Sequence, residues 1–135
     1  MQHKNIIPID SHLSVASVRK INGGLAHEKL ALPSKNGRII ISLSDIFYVQ
    51  AASNYSHLMD INGNRYTMTK TLKSIEQLLP NKSFFRCHQS YLINMNYLTE
   101  INRDGTLTLK SQEHRKIIPV ARRKRSEMKR MFYFI

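Results

Sequence analysis

This chain of 135 residues has no tryptophan, one cysteine and only nine acidic residues against 21 basic ones, and the scarcity of cysteine and of carboxylates excludes several functions. Cys87 stands alone, so an internal disulfide is impossible and a reducing cytoplasm is the expected location. The nine carboxylates are scattered singly, Asp45, Asp60, Glu76, Glu100 and Asp104 among them, whereas a metal-dependent nuclease needs several converging on one cation. No Cys/His group has zinc spacing, and neither a Gly-x-Ser-x-Gly elbow nor a P-loop is present. Cys87 and His88 are neighbours and point apart on a strand, which makes a poor nucleophile pair. No enzyme, metal or cofactor is therefore expected. Long apolar runs are missing too. Ile6-Ile7-Pro8-Ile9 is too short for a signal peptide and meets Asp10 at once, and nothing approaches the roughly 20 residues of a membrane span.

Positive charge is what the chain has in excess. There are 21 Lys plus Arg against 9 Asp plus Glu, a net +12 and a pI near 10.1. Such a field draws polyanions and speeds encounter with them. With 41% hydrophobic residues the chain can fill one modest core.

Regular patterning begins at Lys29. Residues 1–28, interrupted by Ser11, Ser14, Ser17 and Gly23-Gly24, read as a linker or flexible tail, and 29–135 as the domain. Leu30 and Leu32 alternate, Lys35-Asn36-Gly37 marks a turn, and Ile39, Ile41 and Leu43 alternate again. Ile46 to Ala51 suits a buried strand. His57 to Ile61 and Asn64 to Thr69 flank Asn62-Gly63, which predicts a hairpin with a type I′ turn. Leu72, Ile75, Leu78 and Leu79 share a helical face over about 71–79, with Thr71 as cap and Pro80 as stop. Tyr97 to Asn102 and Thr106 to Lys110 flank Arg103-Asp104-Gly105 as a second hairpin. Arg115 to Val120 is a further strand, and Ala121 to Phe132 predicts a basic C-terminal helix. The fold class is mainly β, antiparallel, with one short helix and a second at the C-terminus.

The most informative stretch is Phe84-Phe85-Arg86-Cys87-His88-Gln89-Ser90-Tyr91-Leu92-Ile93-Asn94. It passes from apolar to polar and back, as when a short turn lifts polar side chains off a core. The four polar residues Arg86, His88, Gln89 and Ser90, interrupted only by Cys87, could not all be satisfied inside one without many partners.

Four blocks, in order and at family spacing, resemble the LytTR family of bacterial DNA-binding domains. They are Asp45-Ile46-Phe47-Tyr48-Val49 with Ala51 to Tyr55, then Leu72 to Leu78, the run just given, and Ile118-Pro119-Val120-Ala121-Arg122-Arg123. Gln50 departs from the usual acidic residue. Ala121 departs from a common Ser and so gives up a helix cap, typically about 0.5–2 kcal/mol. The resemblance covers roughly residues 29–132. It implies an elongated multi-stranded domain whose loops enter successive grooves of double-stranded DNA and read it sequence-specifically in transcription control.

The expected contacts follow from the resemblance. In the first loop they are Asn54 with Ser56 or His57. Asn54 could equally serve an αL turn, and which of Ser56 and His57 faces outward is open. In the second loop Gln89 matches a base reader, because its amide can pair with adenine N6 and N7. His88 and Ser90 suit phosphate there, and Arg86 suits either a phosphate or an internal salt bridge. At the third site Arg122 matches the family's closing base-reading Arg, with Arg123 and Arg125 as phosphate clamps. Two copies on repeated half-sites are expected, with self-association on DNA. Family members often carry a phospho-receiver domain. The 28 residues before Lys29 are too few for one, so the chain reads as a stand-alone regulator or the effector domain of a two-component response regulator. An RNA-binding or basic protein-docking module is the alternative.

Overall fold

Apolar runs broken by turn residues become strands. The computed structural model describes residues 28–135, and among these it has ten strands and two α-helices. The linker expected up to residue 28 falls, but for Glu28, outside the described residues. The described residues fall into two compact units, the first ending at Ile46, the opening residue of a strand that otherwise belongs to the second, which runs from Phe47 to Ile135.

In the first unit β1 (Lys29–Ser34) pairs antiparallel with β2 (Gly37–Ser42) across Lys35-Asn36, the turn expected there. Strict alternation does not hold. Leu30, Ala31 and Leu32 are all buried, and Ile39 is exposed while Ile41 is buried. A 3-10 turn, Leu43–Asp45, follows.

The second unit is built on a five-stranded sheet. Its strands are β3 (Ile46–Ala52), β4 (Tyr55–Asp60), β5 (Arg65–Met68), β6 (Phe84–His88) and β7 (Tyr91–Asn94), in the order β5-β4-β3-β7-β6. A three-stranded sheet holds β8 (Leu98–Ile101), β9 (Leu107–Lys110) and β10 (Arg115–Ile118), in the order β10-β9-β8. Helix α1 (Leu72–Leu78) buries Leu72 and Ile75, and Thr71 caps it by accepting the Ser74 N–H at 3.2 Å. Helix α2 (Arg122–Lys129) buries Met128.

The core of this unit gathers Phe47, Tyr48, Phe85, Cys87, Ile93, Leu107, Leu109, Ile118, Val120 and Met128. Both sheets and α2 therefore contribute. Full burial of an Ile or Leu stabilises by about 1.5–3 kcal/mol, so Ile93, Leu107, Leu109 and Ile118, each with no exposed surface, hold the β9–β10 hairpin and β7 firmly.

The β4–β5 and β8–β9 hairpins share one turn design, and it is not the type I′ turn that Asn62-Gly63 suggests. Only Gly63 and Gly105 have positive φ in these turns, at 90° and 93°. Three residues lie between the closing pairs, Asp60 with Asn64 and Asn102 with Thr106. That is a type I turn followed by a left-handed glycine. The Asp60 carboxylate explains the difference. Its Oδ1 accepts the N–H groups of both Asn62 and Asn64, at 2.9 and 2.8 Å, and draws the backbone into this form.

Candidate nucleic-acid interface

The β3–β4 connection is tight. Ser53 sits at φ 59°, so the left-handed position falls on Ser53 and not on Asn54. Ser53, Asn54 and Tyr55 are exposed, whereas Ser56 has no exposed surface. The Ser56 hydroxyl donates to the Lys70 carbonyl at 2.8 Å. Strand alternation puts it on the inward side with Leu58, so of the two residues left open in this loop Ser56 is the one that faces inward. His57 takes the other side. It is half-buried, and its Nδ1 lies 3.0 Å from Oγ1 of its cross-strand neighbour Thr67.

The β6–β7 turn is Gln89-Ser90, preceded by a bulge between Arg86 and His88. Arg86 turns inward. Its Nε donates to the His88 carbonyl at 3.2 Å, one terminal nitrogen to the Gln89 carbonyl at 2.6 Å, and the other to Glu76 at 3.3 Å. Of the two roles open for Arg86, the internal ion pair is formed, and three of its donors are engaged within the protein. That pair is partly exposed and stabilises by about 0–1 kcal/mol. The Nδ1 of His88 accepts the Ser90 N–H at 3.1 Å, and its ring meets Tyr91 edge-on. Neutral His88 therefore carries its proton on Nε2, a donor. Ser90 is half-buried, while Gln89 is exposed and its side chain makes no hydrogen bond among the described residues.

At the third site Ala121 occupies the cap position of α2 without a side-chain bond, as its sequence implies. The backbone compensates: the Ala121 N–H donates to the Cys87 carbonyl at 2.9 Å. Arg122, Arg123 and Arg125 are exposed. The Arg125 guanidinium lies over the β8–β9 turn, where a Cβ on Gly105 would stand 2.5 Å from it. The Asp104 carboxyl there is held below its ordinary range, first by the Thr106 hydroxyl, then by the Thr106 N–H, with Arg125 adding a smaller effect.

These pieces meet at one end of the five-stranded sheet. The Ala51 N–H donates to the Ser90 carbonyl at 2.9 Å, which puts the β3–β4 and β6–β7 turns side by side. The Cys87–Ala121 bond brings the start of α2 to the same turn. Between them opens a cleft of about 370 Å³, lined by Glu76, Arg86, His88, Gln89, Ala121, Arg123 and Lys124. Lys124 belongs to the basic run that forms the third site but carried no contact of its own among the expected residues. It reaches Glu127 at 3.3 Å and lies 5.9 Å above the Phe85 ring. The Lys-x-x-Glu spacing, one helical step apart, is the signal that could have found it. Glu76 was missed because its partner, ten residues away, comes from another element. Among the described residues no group of three or more His, Cys, Asp or Glu could hold a metal, and no helix is long and apolar enough to cross a membrane.

The family model for the LytTr DNA-binding domain matches residues 36–133. The sensory transduction protein LytT of Bacillus anthracis is 32% identical over 105 residues, 76% of this chain and 42% of that protein. LytT of Bacillus subtilis is 30% identical over 114 residues, 83% of this chain and 46% of that protein. The transcriptional regulatory protein YpdB of Escherichia coli K12 is 30% identical over 104 residues, 73% of this chain and 41% of that protein. The chain thus spans less than half the length of these relatives. A solved LytTr DNA-binding domain of a methyl-accepting/DNA response regulator from Bacillus cereus has the same fold. Its TM-score is 0.66 at 24% identity, and the match covers 81% of this chain and all of that one.

Proposed function

The chain belongs to the LytTR family of DNA-binding domains and binds DNA in transcription regulation, and from that premise we propose how it reads sequence. The supporting observation is the gathering of two turns and a helix start at one sheet end through the Ala51–Ser90 and Cys87–Ala121 backbone bonds. Loops anchored this way keep a fixed spacing and can enter successive grooves together.

Gln89 reads a base by its free amide, and Arg122 reads guanine O6 and N7. Asn54 and His57 act from the β3–β4 turn. His88 offers its Nε2–H to a phosphate beside Ser90, and Arg123 and Arg125 neutralise phosphates. The role is binding without catalysis, in the cytoplasm. Two copies occupy repeated half-sites and associate on the DNA, since one domain reads too few base pairs against a genome of competing sites. The relatives are more than twice as long as the matched region, which accommodates a phospho-receiver domain in a longer protein.

Selection of bound sites from random duplex DNA tests the proposal. A repeated motif should emerge, and the selected duplex should outcompete single strands and structured RNA in a gel-shift titration. Gln89→Ala should relax one or two base positions, at about 1–3 kcal/mol. Equal competition by RNA, or an unbiased pool of selected sequences, refutes it.

A further inference from the structure

We propose that Arg86 and Glu76 form a brace that sets the sequence preference of the β6–β7 turn, with Arg86 acting from inside the turn and not on DNA. The proposal rests on the reading of Gln89 as a base-contacting residue given above.

The argument lies in which peptide groups are held. The peptide between Gln89 and Ser90 is fixed at both polar atoms. Arg86 donates to its oxygen at 2.6 Å, and His88 Nδ1 accepts its N–H at 3.1 Å. The peptide between His88 and Gln89 is fixed at its oxygen by the Nε of Arg86, at 3.2 Å. With a restrained peptide on each side, the backbone angles of Gln89 are set, and with them the direction of its Cα–Cβ bond. A bidentate amide contact needs that precision, because donor and acceptor must both meet the base edge.

The guanidinium suits this task because it is flat and offers parallel donors, which an ammonium cannot do. Its own orientation is set from a third side by Glu76 on α1, at 3.3 Å. The brace thus links the reading turn to a helix that packs against β7 on the sheet.

Glu76 gives the proposal a test with opposite signs. Glu76→Gln removes one negative charge, so electrostatics alone would tighten binding to every duplex. The Gln amide oxygen still accepts from Arg86 but without the charge-assisted part of the bond, and the brace loosened in this way would instead lower discrimination between the selected duplex and a scrambled one. Arg86→Lys retains the charge and loses the fork, so a simple phosphate contact would survive it with preference intact. Both side chains of the pair are partly exposed, at 21% and 42%, and thermal unfolding checks that each variant still folds cooperatively.

The experiment titrates wild type, Glu76→Gln, Arg86→Lys, Gln89→Ala and Glu76→Gln/Gln89→Ala against both duplexes at several salt concentrations. Discrimination should fall about tenfold in each of the first two variants, the order of one lost base contact. The salt slope on scrambled DNA should stay unchanged. In the Gln89→Ala background, Glu76→Gln should cost no further discrimination. Unchanged discrimination in both brace variants overturns the proposal, as does a Glu76→Gln effect that persists without Gln89. If Gln89→Ala relaxes the preference while the brace variants do not, the brace alone fails. If Gln89→Ala itself leaves the preference intact, the reading of Gln89 fails and takes the brace with it.

Discussion

Gly63 and Gly105 hold the same place in the same kind of turn, at φ 90° and 93°, so replacing each by alanine is a matched pair. The left-handed backbone costs alanine about 1–2 kcal/mol at either site. Stiffening of the unfolded chain, about 0.4–1 kcal/mol in the other direction, is also common to both. What differs is the neighbour. At Gly105 the new Cβ would stand 2.5 Å from the terminal nitrogen of Arg125, the free end of an exposed side chain that can swing aside. At Gly63 it would stand 2.8 and 2.9 Å from two atoms of the His114 ring. His114 is half-buried, and its backbone N–H is tied to the Ser111 hydroxyl at 3.2 Å. Forcing such a ring aside costs about 1–3 kcal/mol, and that is the expected excess of Gly63→Ala over Gly105→Ala. Urea denaturation of the two variants and the parent measures it, from midpoints at a common slope. Equal midpoints, or a more damaging Gly105→Ala, would refute the neighbour argument. Full stability in both would refute the turn itself.

The other expectations concern single groups. Ser56→Ala should destabilise by about 1–3 kcal/mol, since it leaves the Lys70 carbonyl without its donor, and should not alter the selected DNA sequence; an altered sequence would put Ser56 on the DNA after all. Arg123→Ala should flatten the slope of log affinity against log salt by roughly one unit at unchanged sequence preference, whereas Arg122→Gln should reduce discrimination by about 1–3 kcal/mol; equal weakening of all duplexes by Arg122→Gln would make Arg122 a phosphate clamp. Burial pushes the Cys87 thiol up from 9.0 to about 12, so the folded state favours the protonated form. Its contribution to stability is therefore complete below pH 9 and is lost as pH rises from 9 towards 12. Cys87→Val should show a shallower alkaline decline in urea midpoint than the parent, and parallel curves would contradict this.

Much of the architecture was legible because apolar period and turn residues agree along the chain. The helix at 72–78 has its cap, its buried Leu72 and Ile75 and its end where Thr71 and Pro80 put them. The strand at Ile46 is buried as its continuous apolar run requires. The inward position of Ser56 was also present in the sequence, for it shares the parity of Leu58, yet a loop motif drew attention away from parity. Asn62-Gly63 misled for a different reason. A dipeptide rule does not weigh the carboxylate two residues earlier, and Asp60 decides the turn. Contacts between elements were not legible. Nothing local announces that Arg86 meets Glu76, that Arg125 lies over Gly105 or that Cys87 supplies a carbonyl to Ala121, because each pairing depends on how strands and helices come together.

In the β6–β7 turn, Arg86 and His88 maintain the backbone, Gln89 gives the fold only its carbonyl, and its side chain contributes no hydrogen bond among the described residues. Position 89 is consequently a place where the protein can be rewritten without being weakened. A library of the side chains other than proline there should yield folded domains of nearly equal melting temperature that differ in the DNA they prefer. Over generations the same freedom would let duplicated regulators drift to new operators by one codon change, without first crossing a valley of unfolded intermediates.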